Sequence, residues 1–226
     1  MILWKKSVII VKKMIFKDYY FNNKGLFYKT FETNINKCHY TYDIYWGDPK
    51  IIFGSGNGTG NNYSLAVSII PQRKDYPNSR IYLHEKLELK NKNVFEVVVA
   101  HEIGHLFLHD VIGINHQMTI DYMEESETEI WADYFAYKYF KKYRKINTIE
   151  QFFNIMEEAS YFQMELYNLN SIEYKEYTYY KKIEKIKLLN DKIDSEINNP
   201  DSKLNQIVSA IDITLDDIGD LFKENI

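Results

Sequence analysis

Residues 97–109 constrain this chain more than any other stretch, because an otherwise apolar run carries His101-Glu102-Ile103-Gly104-His105, a HExxH pattern. On a helix, positions four apart stand on one face, so His101 and His105 direct their imidazoles at one point and can share a cation. Glu102 lies roughly 100° further round the helix. From there its carboxylate reaches a water held beside such a cation, which is what a hydrolytic base requires. The surrounding residues support a helix independently of the motif. Asn93 reads as the N-cap with Glu96 as its capping-box partner, and Gly113 offers a stop. Phe95, Val98, Val99 and Leu106 supply a face to bury.

Histidines on an apolar helix are also commonly hydrogen-bonded core residues, so the motif needs a third ligand downstream. A structural zinc site takes four protein ligands, whereas a catalytic one takes three and leaves the fourth place to water. Leu108 stands where the extended HExxHxxGxxH pattern requires glycine, which excludes that class. A glutamate from a following helix is the other common solution, and residues 124–136 offer several. Glu129 and Asp133 are four apart on one face, and Ala132 and Ala136 are small enough to let that helix approach the motif helix closely. With Glu129 as ligand, Asp133 one turn on accepts the free ring N–H of His101 and fixes its tautomer. Glu125, one turn earlier on the same face, is the rival ligand. Glu124 and Glu127 fit the acidic first turn that the helix dipole favours.

The stretch from His101 to His109, followed about twenty residues later by Glu129-x-x-Ala132-Asp133-x-Phe135-Ala136, resembles the ImmA/IrrE family of gluzincin-type metallopeptidases, whose pattern is HExGHxxLH and then ExEAxxFA. The resemblance covers roughly residues 80–140. Trp131 departs from it, standing where the family usually has a second glutamate, which leaves Glu129 as the matching ligand. The resemblance implies a zinc peptidase that cleaves a DNA-binding repressor. His109 matches the family pattern at a position that is not a ligand there; at the end of a helix it suits the negative pole of the dipole. His39 and His84 have no partner pattern and read as surface or strand residues.

Short strand patterns precede the motif: residues 40–46, 51–53, 63–70 and 80–83, separated by turn residues such as Gly47-Asp48-Pro49. The glycine-rich residues 54–62 lack the Gly-Lys-Ser/Thr of a phosphate loop and read as a hairpin loop. After the motif come a helical pattern from about residue 121 to 143 and three further helical stretches, near 152–162, 171–197 and from 201 on. The expected fold is therefore α+β, a small twisted sheet packed on the HExxH helix and a third-ligand helix, followed by a mostly helical C-terminal region. The expected division is a metallopeptidase domain over residues 1–146 and a helical region, read as an appendage, over 147–226.

With 226 residues, 45% of them hydrophobic, the chain can bury a sizeable core. A net charge of -4 argues against nonspecific nucleic-acid binding. Cys38 is the lone cysteine, which excludes an internal disulfide and reads as a small buried hydrophobe. Near the start, the apolar run of residues 8–11 is pinned between lysine pairs, too short for a signal sequence or a membrane span, so a cytoplasmic protein is expected.

Together these readings predict a cytoplasmic zinc endopeptidase acting on a protein or peptide, with His101, His105 and Glu129 on the metal, Glu102 as base and Asp133 behind His101. The alternatives are a metal-stapled, non-catalytic interaction module and a secreted effector protease. Ser79–Leu83 is expected to be an edge strand that aligns an extended peptide. Tyr122, or else His116, or failing both a tyrosine of the C-terminal helical region (Tyr174, Tyr177, Tyr179 or Tyr180), is expected to donate to the developing oxyanion.

Overall fold

The computed structural model describes residues 26–35, 38–47, 65–69, 79–110, 125–168, 180–196, 198–199 and 202–219. It is an α+β fold. Strands β1 (Leu26–Ile35), β2 (Cys38–Trp46), β3 (Ala66–Ile69) and β4 (Ser79–Leu83) form a sheet in the order β1-β2-β4-β3. A short 3-10 turn (Glu85–Leu89) leads into five helices among the described residues: α1 (Lys92–Asp110), α2 (Glu125–Tyr143), α3 (Ile149–Tyr167), α4 (Tyr180–Glu196) and α5 (Lys203–Ile218).

The sheet is mixed. β1 and β2 are an antiparallel hairpin, β2 and β4 are parallel, and β3 pairs antiparallel with β4. A bulge between Phe27 and Lys29 inserts Tyr28 into β1. The extra residue switches the side-chain alternation, so Phe27 meets Tyr45 while Tyr28 meets Trp46 and Phe95 of α1. In β2 and β4 the period of two selects the inner face: Tyr42, Ile44, Trp46, Ile81 and Leu83 are all buried and join the core. β4 therefore lies between β2 and β3, against the expectation of an edge strand. Its residues Ser79, Ile81, Tyr82 and Leu83 are buried, and a strand so covered gains from pairing on both sides. Among the described strands β1 and β3 are the edges.

α1 carries apolar residues on nearly every side because it has neighbours on nearly every side. The sheet covers one flank, α2 a second and α3 a third, and Val97, Val99, Ala100, Ile103, Leu106 and Phe107 are all buried. Its start is capped by Asn91, whose Oδ1 accepts the N–H of Val94 at 2.9 Å. The expected cap, Asn93, is already inside the helix. Glu96 is not a capping partner either: it is fully buried and paired with Arg144, just beyond α2.

α3 begins at a complete capping box, Thr148 with Gln151, and ends at Asn168 in the left-handed conformation. The C-terminal pair α4 and α5 returns to the body of the fold. Ile186, Ile193, Ile207, Ile211 and Leu215 are buried in the same hydrophobic cluster as α1 and α2. α5 packs on both β1 and α2, and Lys138 and Lys142 of α2 pair with Asp212 and Asp216 of α5. No helix among the described residues is long and apolar enough to cross a membrane.

Candidate metal centre

α1 and α2 run antiparallel, and the site forms where their surfaces come closest. Gly104 makes that approach possible. A Cβ built on it would lie 2.8 Å from the Cα of Ala132 and 3.0 Å from its carbonyl oxygen, distances no side chain tolerates without backbone movement. Ala132 is itself the small residue expected at such a contact. The glycine of HExxH thus serves the fold rather than the chemistry, by letting Glu129 and Asp133 reach across to the two histidines.

The three expected ligands converge. Nε2 of His101 and Nε2 of His105 are 3.0 Å apart. Glu129 Oε2 lies 3.5 Å from His101 Nε2, and its Oε1 lies 3.2 Å from His105 Nε2. A zinc ion with bonds of about 2.0–2.1 Å in tetrahedral geometry separates neighbouring ligand atoms by about 3.3 Å, and the three separations bracket that value. Among the described residues this is the one group of three or more His, Cys, Asp or Glu side chains able to hold a metal. The donors keep one side open, since the side chains of His101, His105 and Glu129 are 18%, 22% and 38% exposed. The set is a triangle with an accessible fourth direction, as a three-ligand metal centre requires.

Asp133 fixes the tautomer. Its Oδ1 lies 2.6 Å from His101 Nδ1, and since a carboxylate can only accept, the ring proton is on Nδ1. The neutral ring then presents a bare lone pair from Nε2 toward His105 and Glu129, an arrangement that calls for a cation between them. Burial works against a charge on His101, but Asp133 first, then Glu129 and Glu102, outweigh it and raise its pKa to about 9. Without a metal, the cation is a proton on Nε2.

Glu102 is buried beside His101 on α1 and acts electrostatically on that ring. His109 sits half-buried at the end of α1 and is not in the ligand group. His39 is exposed on β2, and His84 caps the 3-10 turn, its Nδ1 accepting the Lys86 N–H at 3.2 Å. Tyr122, His116, Tyr174, Tyr177 and Tyr179 lie outside the described residues, as do the side chains of Glu125 and Tyr180. Reading the residues alone overlooked Gly104 and the Glu96–Arg144 pair. A glycine costs a helix interior about 1 kcal/mol, so Gly104 did carry a signal of close approach; nothing in the chain's periodicity links Glu96 to Arg144.

In comparison with known proteins, residues 63–170 match the family model Peptidase_M78, described as the IrrE N-terminal-like domain. No curated protein and no solved structure matches the chain. The match spans β3, β4, α1, α2 and α3, and so contains every residue of the site just described. The site thus lies inside a segment that matches the IrrE N-terminal-like domain, a peptidase family model, in line with the resemblance of this stretch to the ImmA/IrrE metallopeptidases.

Proposed function

We propose that the protein is a zinc endopeptidase of the cytoplasm that hydrolyses peptide bonds in a protein substrate, a DNA-binding repressor being the substrate class that the family resemblance favours. The observation that carries this reading is the His101–His105–Glu129 triangle, with atom separations of 3.0, 3.2 and 3.5 Å and Glu102 one residue along the same helix. When bound there, a zinc ion makes its water acidic and polarises the scissile carbonyl.

The chain's own residues do the rest. Asp133 holds the His101 ring at Nδ1, so that ligand neither rotates nor changes tautomer. Glu102 accepts the proton of the attacking water and delivers it to the departing amine nitrogen as the C–N bond breaks. Its burial keeps bulk water from competing for that proton. β3, an edge strand among the described ones, packs on α1 and takes the role first assigned to Ser79–Leu83, that of pairing with an extended substrate.

The test is Glu102→Gln. Elemental analysis should find one zinc per chain in both proteins, and cleavage should be lost only in the variant. Retained cleavage in a verified preparation of the variant defeats the mechanism, and absence of zinc from the wild-type protein defeats the metal reading. Comparing the proteomes of cells that carry each form identifies the substrate, which accumulates intact with the variant.

A further inference from the structure

About a turn and a half before His101, α1 meets the residue that follows α2 through a charge pair whose carboxylate is fully buried. Glu96, five residues before His101 on α1, is fully buried. Arg144 grips it with a fork: Nη2 donates to Oε1 at 2.7 Å and Nε donates to Oε2. The same Nη2 also lies 3.1 Å from the hydroxyl of Tyr139, a fully buried residue of α2, and the guanidinium sits over that ring. Lys92 approaches Glu96 from the helix start at 3.8 Å.

A buried ion pair is weak as a source of stability, since well-packed apolar residues of similar volume often do as well or better. Its distinctive property is direction, because a planar fork on a carboxylate tolerates little rotation or sliding. We propose that Glu96 and Arg144 are positioning residues for the metal centre: their fork sets the register and rotation of α2 against α1, and so holds Glu129 and Asp133 on the two histidines. The inference rests on the metal-centre reading above.

The geometry makes the requirement concrete. The smooth contact of Gly104 on Ala132 supplies closeness but no resistance to turning. Side-chain tips on a helix lie about 5–6 Å from its axis, so turning α2 by about 10° carries the Glu129 carboxylate by about 1 Å. Metal sites hold their distances to about 0.2 Å. A second anchor away from the first contact removes that freedom, and the fork is such an anchor.

The experiment replaces both partners, Glu96→Met with Arg144→Met, which keeps bulk and removes the directional pair. Cobalt(II) serves as the probe, its visible absorption reporting coordination and its competition with a chelator reporting affinity. In the metal-free proteins, proton NMR follows the downfield Nδ1–H of His101 on Asp133. The double variant should fold, bind cobalt at least about tenfold more weakly, the lower end of the cost of losing an orienting partner, and show a broadened or shifted His101 resonance. Wild-type affinity together with an unchanged resonance overturns the proposal. If the double variant does not fold, Arg144→Lys keeps the charge without the fork and should show the same two changes in smaller degree; no change in either again overturns it. Failure of the wild-type protein to bind cobalt would instead defeat the metal reading, while the His101 resonance would still decide the register.

Discussion

Two residues of the site act through opposite physical demands, one for charge and one for absence of bulk. His101 is held by Asp133 and raised to a pKa of about 9 when no metal is present. Near pH 7 a metal must therefore displace a proton, and below pH 9 the apparent affinity should rise about tenfold per pH unit through this group. Calorimetry in buffers of different ionisation enthalpy should show about one proton released per metal at pH 7, and affinity independent of pH between 6 and 8 would contradict it. The sign for stability follows from the same shift. Because the folded pKa lies above the unfolded 6.5, the proton's contribution is complete below pH 6.5 and is lost as pH rises through 9; the metal-free protein should lose thermal stability across that window. Gly104 makes the other demand. In Gly104→Ala the added methyl meets the backbone of Ala132 at 2.8 Å. The overpacking, about 1–3 kcal/mol, should outweigh the roughly 1 kcal/mol that alanine adds in helix propensity. Denaturant midpoints and metal affinity should both fall, and an unchanged midpoint would mean that α2 yields freely at Ala132.

At the scale of elements, α1 is a helix held at its start by a side chain that was not the expected one. Asn91 accepts the Val94 N–H through Oδ1 and donates through Nδ2 to Glu158 of α3 at 2.9 Å, so one amide both caps α1 and ties it to a neighbouring helix. Lys90 beside it lies over the ring of Phe162 in α3. Asn91→Ala should cost about 1 kcal/mol, the usual value for a lost N-cap, and hydrogen exchange at Val94 should quicken. The equivalent change at Asn93, a half-turn away and already helical, should cost less, and reversal of that order would restore Asn93 as the cap. α2 shows why its acidic residues could not all be read alike. Glu129 and Asp133 face α1, while Trp131, Tyr134 and Tyr137 form a continuous aromatic row along the helix that ends on Phe152 of α3.

Over the whole molecule, the helices beyond the family match share the core rather than standing beside it. α4 and α5 contribute Ile186, Ile193, Ile207, Ile211 and Leu215 to the cluster that contains Ile103 and Phe135, and the Tyr143 hydroxyl donates to the carbonyl of Leu215. Thermal unfolding followed by circular dichroism and by tryptophan fluorescence should accordingly give coincident transitions. An early helical loss that leaves the fluorescence of Trp131 unmoved would show α4 and α5 melting by themselves.

The sequence by itself singled out His101, His105, Glu129 and Asp133 as one candidate metal-binding set, because helical spacing converts these positions into faces without reference to anything distant. Its patterns at 40–46, 63–70 and 80–83 likewise pointed to the strands at Cys38–Trp46, Ala66–Ile69 and Ser79–Leu83, since alternation and turn residues are local signals, while the pattern at 51–53 lies outside the described residues. β1 was not legible: its aromatic and charged residues mix across a bulge that breaks the alternation at Tyr28. Only the tertiary structure decided that β4 is interior, because strand order depends on pairings across the intervening chain. It alone revealed that Gly104 meets Ala132 and that Glu96 meets Arg144, 48 residues away. A carboxylate near a helix start has the same local pattern whether it caps the backbone or waits for a guanidinium from another helix, and the difference exists only once the two helices have packed.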